Sequence, residues 1–177
     1  MIEETMEQLK SRLLPFEASR WIGTKESGGD NKGQLVEMFQ KAVDGKAQGE
    51  AWCLAFAQFC ISQVDFLYDE MTLSSNRHSP LLKTEHCLTL WNASTSLRDT
   101  NPQVGHLILW QHYKDGKATT SGHVGIIKEV RTDKLITIEG NTGEGTGVVR
   151  EGDGVYLRER PLHDLGTMKI LGYLKVW

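Results

Sequence analysis

Three stretches hold side chains of the kinds that nucleophilic amide hydrolysis uses: Cys53 in GEAWCLAFAQFC, His123 in SGHVGIIKEV, and Glu139 with Asn141 in KLITIEGN. A thiol becomes a good nucleophile when a base lies within hydrogen-bond reach, and the base is held in place by a third group on its other ring nitrogen. Taken singly, each residue has an ordinary explanation. A cysteine beside Trp52 reads as core, a strand histidine as structural, Glu139 as a strand-end charge and Asn141 as a turn residue. Their order changes the reading, because a cysteine is followed by a histidine and then by an acid or amide on two successive strands.

These residues depend on the elements that carry them. Residues 49 to 67 put Trp52, Ala55, Phe56, Phe59, Val64 and Leu67 on an apolar stripe, which predicts a buried helix with Cys53 in its first turn. There the unpaired backbone N–H groups and the positive end of the helix dipole favour a thiolate. Gly122 and Gly125 flank His123 and leave room for another chain or a substrate. In KLITIEGN the alternation of a strand places Leu135, Thr137, Glu139 and Asn141 on one face, so either polar residue could hold the imidazole.

Elsewhere, Ile2, Met6, Leu9 and Leu13 predict a first helix over residues 2 to 14, closed by Pro15. ESGGDNKG (26 to 33) reads as a loop leading into a helix over 34 to 43, which Asp44-Gly45 ends. A fourth helix is expected from Ser79-Pro80 to about Trp91, followed by a polar connection over 92 to 103. Beyond Val104, segments rich in Ile, Val, Leu and Thr predict antiparallel strands near 105–113, 122–130, 134–140, 154–160 and 169–176. Helices first and strands afterwards make an α+β fold with a sheet of about five strands.

With 177 residues, 39% apolar and 24% charged, the chain fits one globular domain. Residues 1–24 are expected to form an N-terminal helical extension to a core spanning about 25–177. A net charge of −3 gives no broad basic surface, so neither nucleic acid nor a membrane is expected as a partner. No stretch approaches a membrane span and the N-terminus does not read as a secretory signal. Synthesis in the cytoplasm, with action after lysis or export by another route, is the corresponding expectation. Three cysteines make a disulfide framework implausible. Cys60 falls seven residues after Cys53, about 10 Å along a helix and too far to bridge, and Cys87 has no partner suggested by spacing. No metal-ligand pattern is present, so no metal or other cofactor is expected.

The stretches EAWCLAFAQFC, GHVGIIKEV and TIEGN resemble the three signature blocks of the cysteine- and histidine-dependent amidohydrolase/peptidase (CHAP) domains, relatives of NlpC-like and papain-like hydrolases. GGDNKG, followed by a helix and then Trp-Cys, resembles one branch of that family. The likeness runs over roughly residues 25 to 177. It implies a papain-like α+β fold, with Cys53 as nucleophile, His123 as general base, and Glu139 with Asn141 as the orienting or electrostatic positions. Glu139 is the preferred orienter and Asn141 its close rival. The implied activity is cleavage of amide bonds in the peptide part of peptidoglycan; the residues themselves predict a route through a thioester, and a monomer is expected. Some relatives bind calcium just before the cysteine, but that segment offers only the carboxylates Asp44 and Glu50 here, so a calcium loop is not expected.

Backbone N–H groups at the helix start would meet the oxyanion. Trp52 and Asn31 are further candidates for substrate or oxyanion contact. One departure from the family pattern is His106, where an acidic residue is usual; with Ile108, Trp110 and His112 it is expected on one strand face, close to the site. Two other functions fit the same residues: a cysteine peptidase or deamidase acting on proteins, as an effector would, and an inactive module that binds cell wall.

Overall fold

The computed structural model describes residues 4–73, 78–149 and 152–177. Four helices, α1 (Met6–Ser19), α2 (Gln34–Asp44), α3 (Cys53–Thr72) and α4 (Cys87–Ala93), precede six strands. The strands are β1 (Arg98–Asp99), β2 (Leu107–Lys114), β3 (Lys117–Val130), β4 (Lys134–Thr142), β5 (Gly154–Pro161) and β6 (Met168–Leu174). This is the α+β layout read from the sequence. The sheet is antiparallel in the order β1-β6-β2-β3-β4-β5. Its sixth strand comes from the segment read as a polar connection, where Arg98 and Asp99 pair with Leu174 and Tyr173.

The central helix is buried on nearly every side rather than along one stripe. Residues 53 to 61 are all buried, as expected of a helix that is apolar all round. Phe39 of α2 meets Trp52, Phe56 and Phe59 through ring contacts 5.0–5.8 Å between centroids. Leu107, Leu109, Val124, Ile126 and Ile138 close this core from the sheet. The opposite sheet face carries a smaller cluster that includes Ile108, Trp110, Ile127 and Leu135. Asp115 and Gly116, both with positive φ, make the two-residue turn between β2 and β3.

Three helices differ in their bounds from expectation, α3 by starting at Cys53 and running on past residue 67 to Thr72. Pro15 lies inside α1, which continues to Ser19, and the expected start at residue 2 lies outside the described residues. A mid-helix proline removes a backbone hydrogen bond. Here burial of Pro15, Glu17 and Ala18 carries the helix through it, and the Ser19 hydroxyl donates to the Pro15 carbonyl at 2.7 Å. Thr5 and Gln8 form a reciprocal cap at the helix start.

The fourth helix begins at Cys87, not at Ser79. Ser79 does not cap a helix, because its hydroxyl donates to the Val176 carbonyl (2.6 Å) and its N–H to Asp65 (2.9 Å). Residues 79–86 therefore form an irregular strap on α3, with Leu81 buried and the Gln58 amide donating to the carbonyls of Leu82 and Thr84.

Within the segment read as an N-terminal extension, α1 is continuous with the core. Leu14 and Ala18 are fully buried in the main cluster. Gly105, at φ +83°, passes so close to Ser11 that a Cβ would lie 2.0 Å from the Ser11 carbonyl oxygen. Lys10 is fully buried and pairs with Asp65 of α3 at 2.6 Å, while Asp65 also accepts from the Trp177 indole (2.7 Å). One carboxylate thus joins α1, α3, the strap and the C-terminal segment. Because Asp65→Ala leaves a buried ammonium without this partner, we expect a loss of about 3–5 kcal/mol in unfolding free energy by chemical denaturation.

Candidate active site

The backbone enters α3 through Trp52 (φ −118°, ψ 15°), and no side chain caps the helix. Cys53 is therefore its first residue, beside N–H groups that the helix cannot satisfy internally. The sulfur lines a cleft of about 320 Å³ bordered by Ala51, His112, Ser121, Gly122, His123, Asn141 and Val149. His123, on β3, is likewise buried and close enough to the sulfur for each group to shift the other's ionisation. The two residues read from sequence as nucleophile and base thus share one cleft.

Glu139, on β4, stands behind the ring. Its Oε2 lies 2.8 Å from His123 Nε2, which leaves Nδ1 as the nitrogen for the sulfur. The carboxylate is fully buried, and its Oε1 accepts from the Thr137 hydroxyl (2.5 Å) and from Arg160 Nε (2.7 Å). A second Arg160 nitrogen, Nη2, donates to Oε2, completing a two-pronged fork. Trp110 stacks on the imidazole at 5.8 Å, and the Arg160 guanidinium lies 5.4 Å from the same indole.

A helix-borne thiol, a strand-borne imidazole and a buried carboxylate in this order are the arrangement to which the resemblance pointed. Residues 45–141, more than half the chain, match the CHAP domain family, and the match contains all three. This chain belongs to the CHAP domain family. Comparisons with curated proteins and with solved structures gave no match. The family is of the peptidoglycan hydrolase and amidase type, and it carries the papain-like α+β layout seen here.

In this CHAP domain the two rivals for the imidazole have separated. The register of β4 against β5 shifts between Glu139 and Thr142, and Asn141 takes a left-handed conformation (φ +52°). Asn141 therefore does not extend the face of Thr137 and Glu139. Its Oδ1 accepts from the Trp52 N–H (3.3 Å), and its Nδ2 donates to Asn31 Oδ1 (3.1 Å) and to the Gly152 carbonyl (3.0 Å). Asn141 holds the entry to α3, whereas Glu139 holds the ring.

Trp52 and Asn31 are not placed as the sequence reading had them. The Trp52 side chain is fully buried, stacks on Phe39 and donates to Glu26 (2.8 Å), so it offers no surface to a substrate. Its backbone N–H is already bonded to Asn141. Asn31 borders a neighbouring cavity with Glu26, Asp30 and Asp153, and does not line the Cys53 cleft. His106 precedes β2 at the end remote from His112 and borders a separate cavity with Gln103, Lys175 and Trp177. It is His112, near the far end of β2, that lines the cleft.

Sequence reasoning missed Cys87 and Arg160. Cys87 is the first residue of α4, and its Sγ lies 3.8 Å from that of Cys53. Nothing in its spacing signals this, since a turn of irregular chain precedes it. Arg158 and Arg160 had a legible signal: they alternate in LRER on a strand, so they share one sheet face. Both are nearly fully buried and donate to the Gly147 carbonyl, and Arg158 also donates to that of Gly143. They thereby secure the loop that carries Val149 to the cleft wall.

The electrostatics follow from these contacts. The hydrogen bond from Cys87 holds the Cys53 thiol well below its usual range; burial opposes this, and His123 and the Leu54 N–H reinforce it. Cys87 is pushed the other way by the same contact and by burial, so it stays a thiol. Burial alone would lower His123, but the sulfur and Glu139 raise it to about 9. Burial would raise Glu139, yet Arg160 and then His123 hold it below the usual carboxylate range.

Both shifts favour a thiolate beside an imidazolium. Because the folded-state value of His123 lies above its unfolded value of about 6.5, its stabilising contribution is full below that pH and is lost as pH rises through about 9. Glu139 has the opposite sign, contributing above the unfolded value of about 4.3 and losing its contribution in acid. We expect Cys53 to alkylate with iodoacetamide at pH 6.5 about tenfold or more faster than Cys60 or Cys87, whose thiols are raised by burial and by burial with the Cys53 contact. Peptide mapping of the labelled protein reads this directly, and His123→Ala should narrow the difference without abolishing it, because the Cys87 contact is the larger cause of the lowered Cys53 thiol.

Proposed function

We propose that this CHAP domain hydrolyses an amide bond in the peptide part of peptidoglycan, with Cys53 as nucleophile, His123 as base and acid, and Glu139 as the group that orients His123. The observation that carries the reading is the Cys53–His123–Glu139 constellation at the wall of an open cleft. Family membership supports the substrate class.

In the proposed reaction the Cys53 thiolate attacks the amide carbonyl carbon, and the carbonyl electron pair moves onto oxygen. The Cys53 N–H, at the uncapped start of α3, donates to that oxyanion, because a helix N-terminus presents preorganised donors to developing negative charge. Collapse of the tetrahedral intermediate breaks the C–N bond, and the His123 imidazolium gives its proton to the departing amine. Neutral His123 then takes a proton from water, whose oxygen attacks the thioester. The acid product leaves and the thiolate–imidazolium pair returns. Glu139 keeps Nδ1 aimed at the sulfur and stabilises the imidazolium throughout.

Incubation with purified sacculi, followed by mass analysis of the soluble fraction, tests the assignment. The wild-type protein should release muropeptides and Cys53→Ala should release none. Cleavage of protein substrates with sacculi left intact would instead support a protein-directed peptidase. Glu139→Gln should lower kcat by about 10²–10⁴-fold, as expected when the group orienting a catalytic histidine loses its charge. The wild-type rate should fall as pH rises through about 9, where His123 loses its proton.

A further inference from the structure

The proposed mechanism uses one of the two thiols that meet at the start of α3. Cys87 Sγ lies 3.8 Å from Cys53 Sγ, with both side chains buried. Cys87 is lodged against β3, its Cβ only 3.0 Å from where a Cβ on Gly122 would sit, next to His123 in sequence. The remaining cysteine, Cys60, lies a further two turns along α3 within the main core. Cys53 borders the open cleft whereas Cys87 does not, so a small oxidant entering the cleft reaches Cys53 first.

A disulfide needs its sulfurs about 2.05 Å apart, so from 3.8 Å the pair must close by less than about 2 Å. We propose that Cys53 and Cys87 are an oxidative modification site, joined by peroxide into a reversible disulfide that takes the nucleophile out of the cleft. In the first step the Cys53 thiolate attacks one peroxide oxygen; the O–O bond breaks, Cys53 becomes a sulfenic acid and hydroxide leaves. In the second, the Cys87 sulfur attacks the sulfenic sulfur, the S–O bond breaks, and the thiol proton and hydroxyl leave as water. The hydroxide from the first step takes the proton that Cys53 had given up to His123, so in sum the two cysteines lose two electrons and two protons and one hydrogen peroxide is reduced to two waters. A dithiol reductant reverses the step by thiol–disulfide exchange.

The chemical part stands independently of the proposed function, and only the effect on turnover rests on it. The full chain is treated with hydrogen peroxide, its free thiols are blocked, and the product is read by intact mass and non-reducing peptide mapping. We expect a species that carries one blocking group, on Cys60, and is otherwise about 2 Da lighter than the reduced chain, with Cys53 and Cys87 peptides linked, reverting with dithiothreitol. Muropeptide release should fall at least about tenfold on oxidation and return on reduction. In Cys87→Ser, Cys53 should advance to sulfinic acid and stay unreactive after dithiothreitol. If that variant does not fold, the wild-type map decides alone. Accumulation of Cys53 sulfinic acid in the wild type, or a link to Cys60, overturns the proposal. A Cys53–Cys87 link in a protein whose reduced form releases nothing from sacculi supports the modification site and removes the proposed function.

Discussion

The Glu139 carboxylate bears a full charge with no exposure to solvent, and the site is arranged around compensating it. Removing such a charge from water costs several kcal/mol unless nearby donors replace its hydration. Thr137, Arg160 and His123 do so from three positions. Arg160 pairs in register with Leu135 rather than with Glu139, so its guanidinium reaches along the sheet face to close a fork on the carboxylate. A lysine would supply charge without the planar pair of donors that fixes both oxygens. Trp110 then serves two cations, lying against the imidazole and the guanidinium at once. The direction in which His123 presents its free nitrogen is thus set by β2, β4 and β5 together.

The thiol is positioned by a separate device. An uncapped helix leaves N–H groups without partners, and in α3 the one belonging to Trp52 is taken by Asn141. The same amide reaches Asn31 and the Gly152 carbonyl, so three distant segments converge on the first turn of the helix. Gly152 fits only because it lacks a side chain, since a Cβ there would lie 2.1 Å from Thr142 Cα. The carboxylate that sets the ring and the amide that sets the helix entry are two residues apart on β4. A displacement of that strand would therefore move both halves of the site together, which favours their mutual geometry over the position of either one.

Periodicity made much of this legible. The apolar run from Trp52 and the β-rich second half follow local rules and form the helix and the strands that those rules predict, although α3 runs on to Thr72. Asn141 escaped because strand alternation holds only while the ladder is regular, and the bulge that turns it toward α3 leaves no mark in composition. The Ser79-Pro80 start failed for a related reason. A capping residue before a proline reads as a helix start, but the Ser79 hydroxyl is engaged by Val176, 97 residues later. Pro15 failed in the reverse sense, because burial outweighed a local penalty. In each case a long-range contact overrode a local preference.

The Cys53–Cys87 contact has no local signature at all, and its chemistry explains why a thiol rather than another small side chain is informative there. A buried thiolate requires donors, and Cys53 has the Leu54 N–H, His123 and the Cys87 thiol. A serine hydroxyl at residue 87 could also donate to the sulfur, and an apolar residue of similar size could fill the same space against Gly122. Neither could form a bond to Cys53. Ionisation and packing therefore do not by themselves require sulfur at this position, whereas reversible oxidation does. The hydrogen bond that holds Cys53 as a thiolate in the reduced protein is also the approach along which Cys87 would close a disulfide, so activation and protection draw on one geometry.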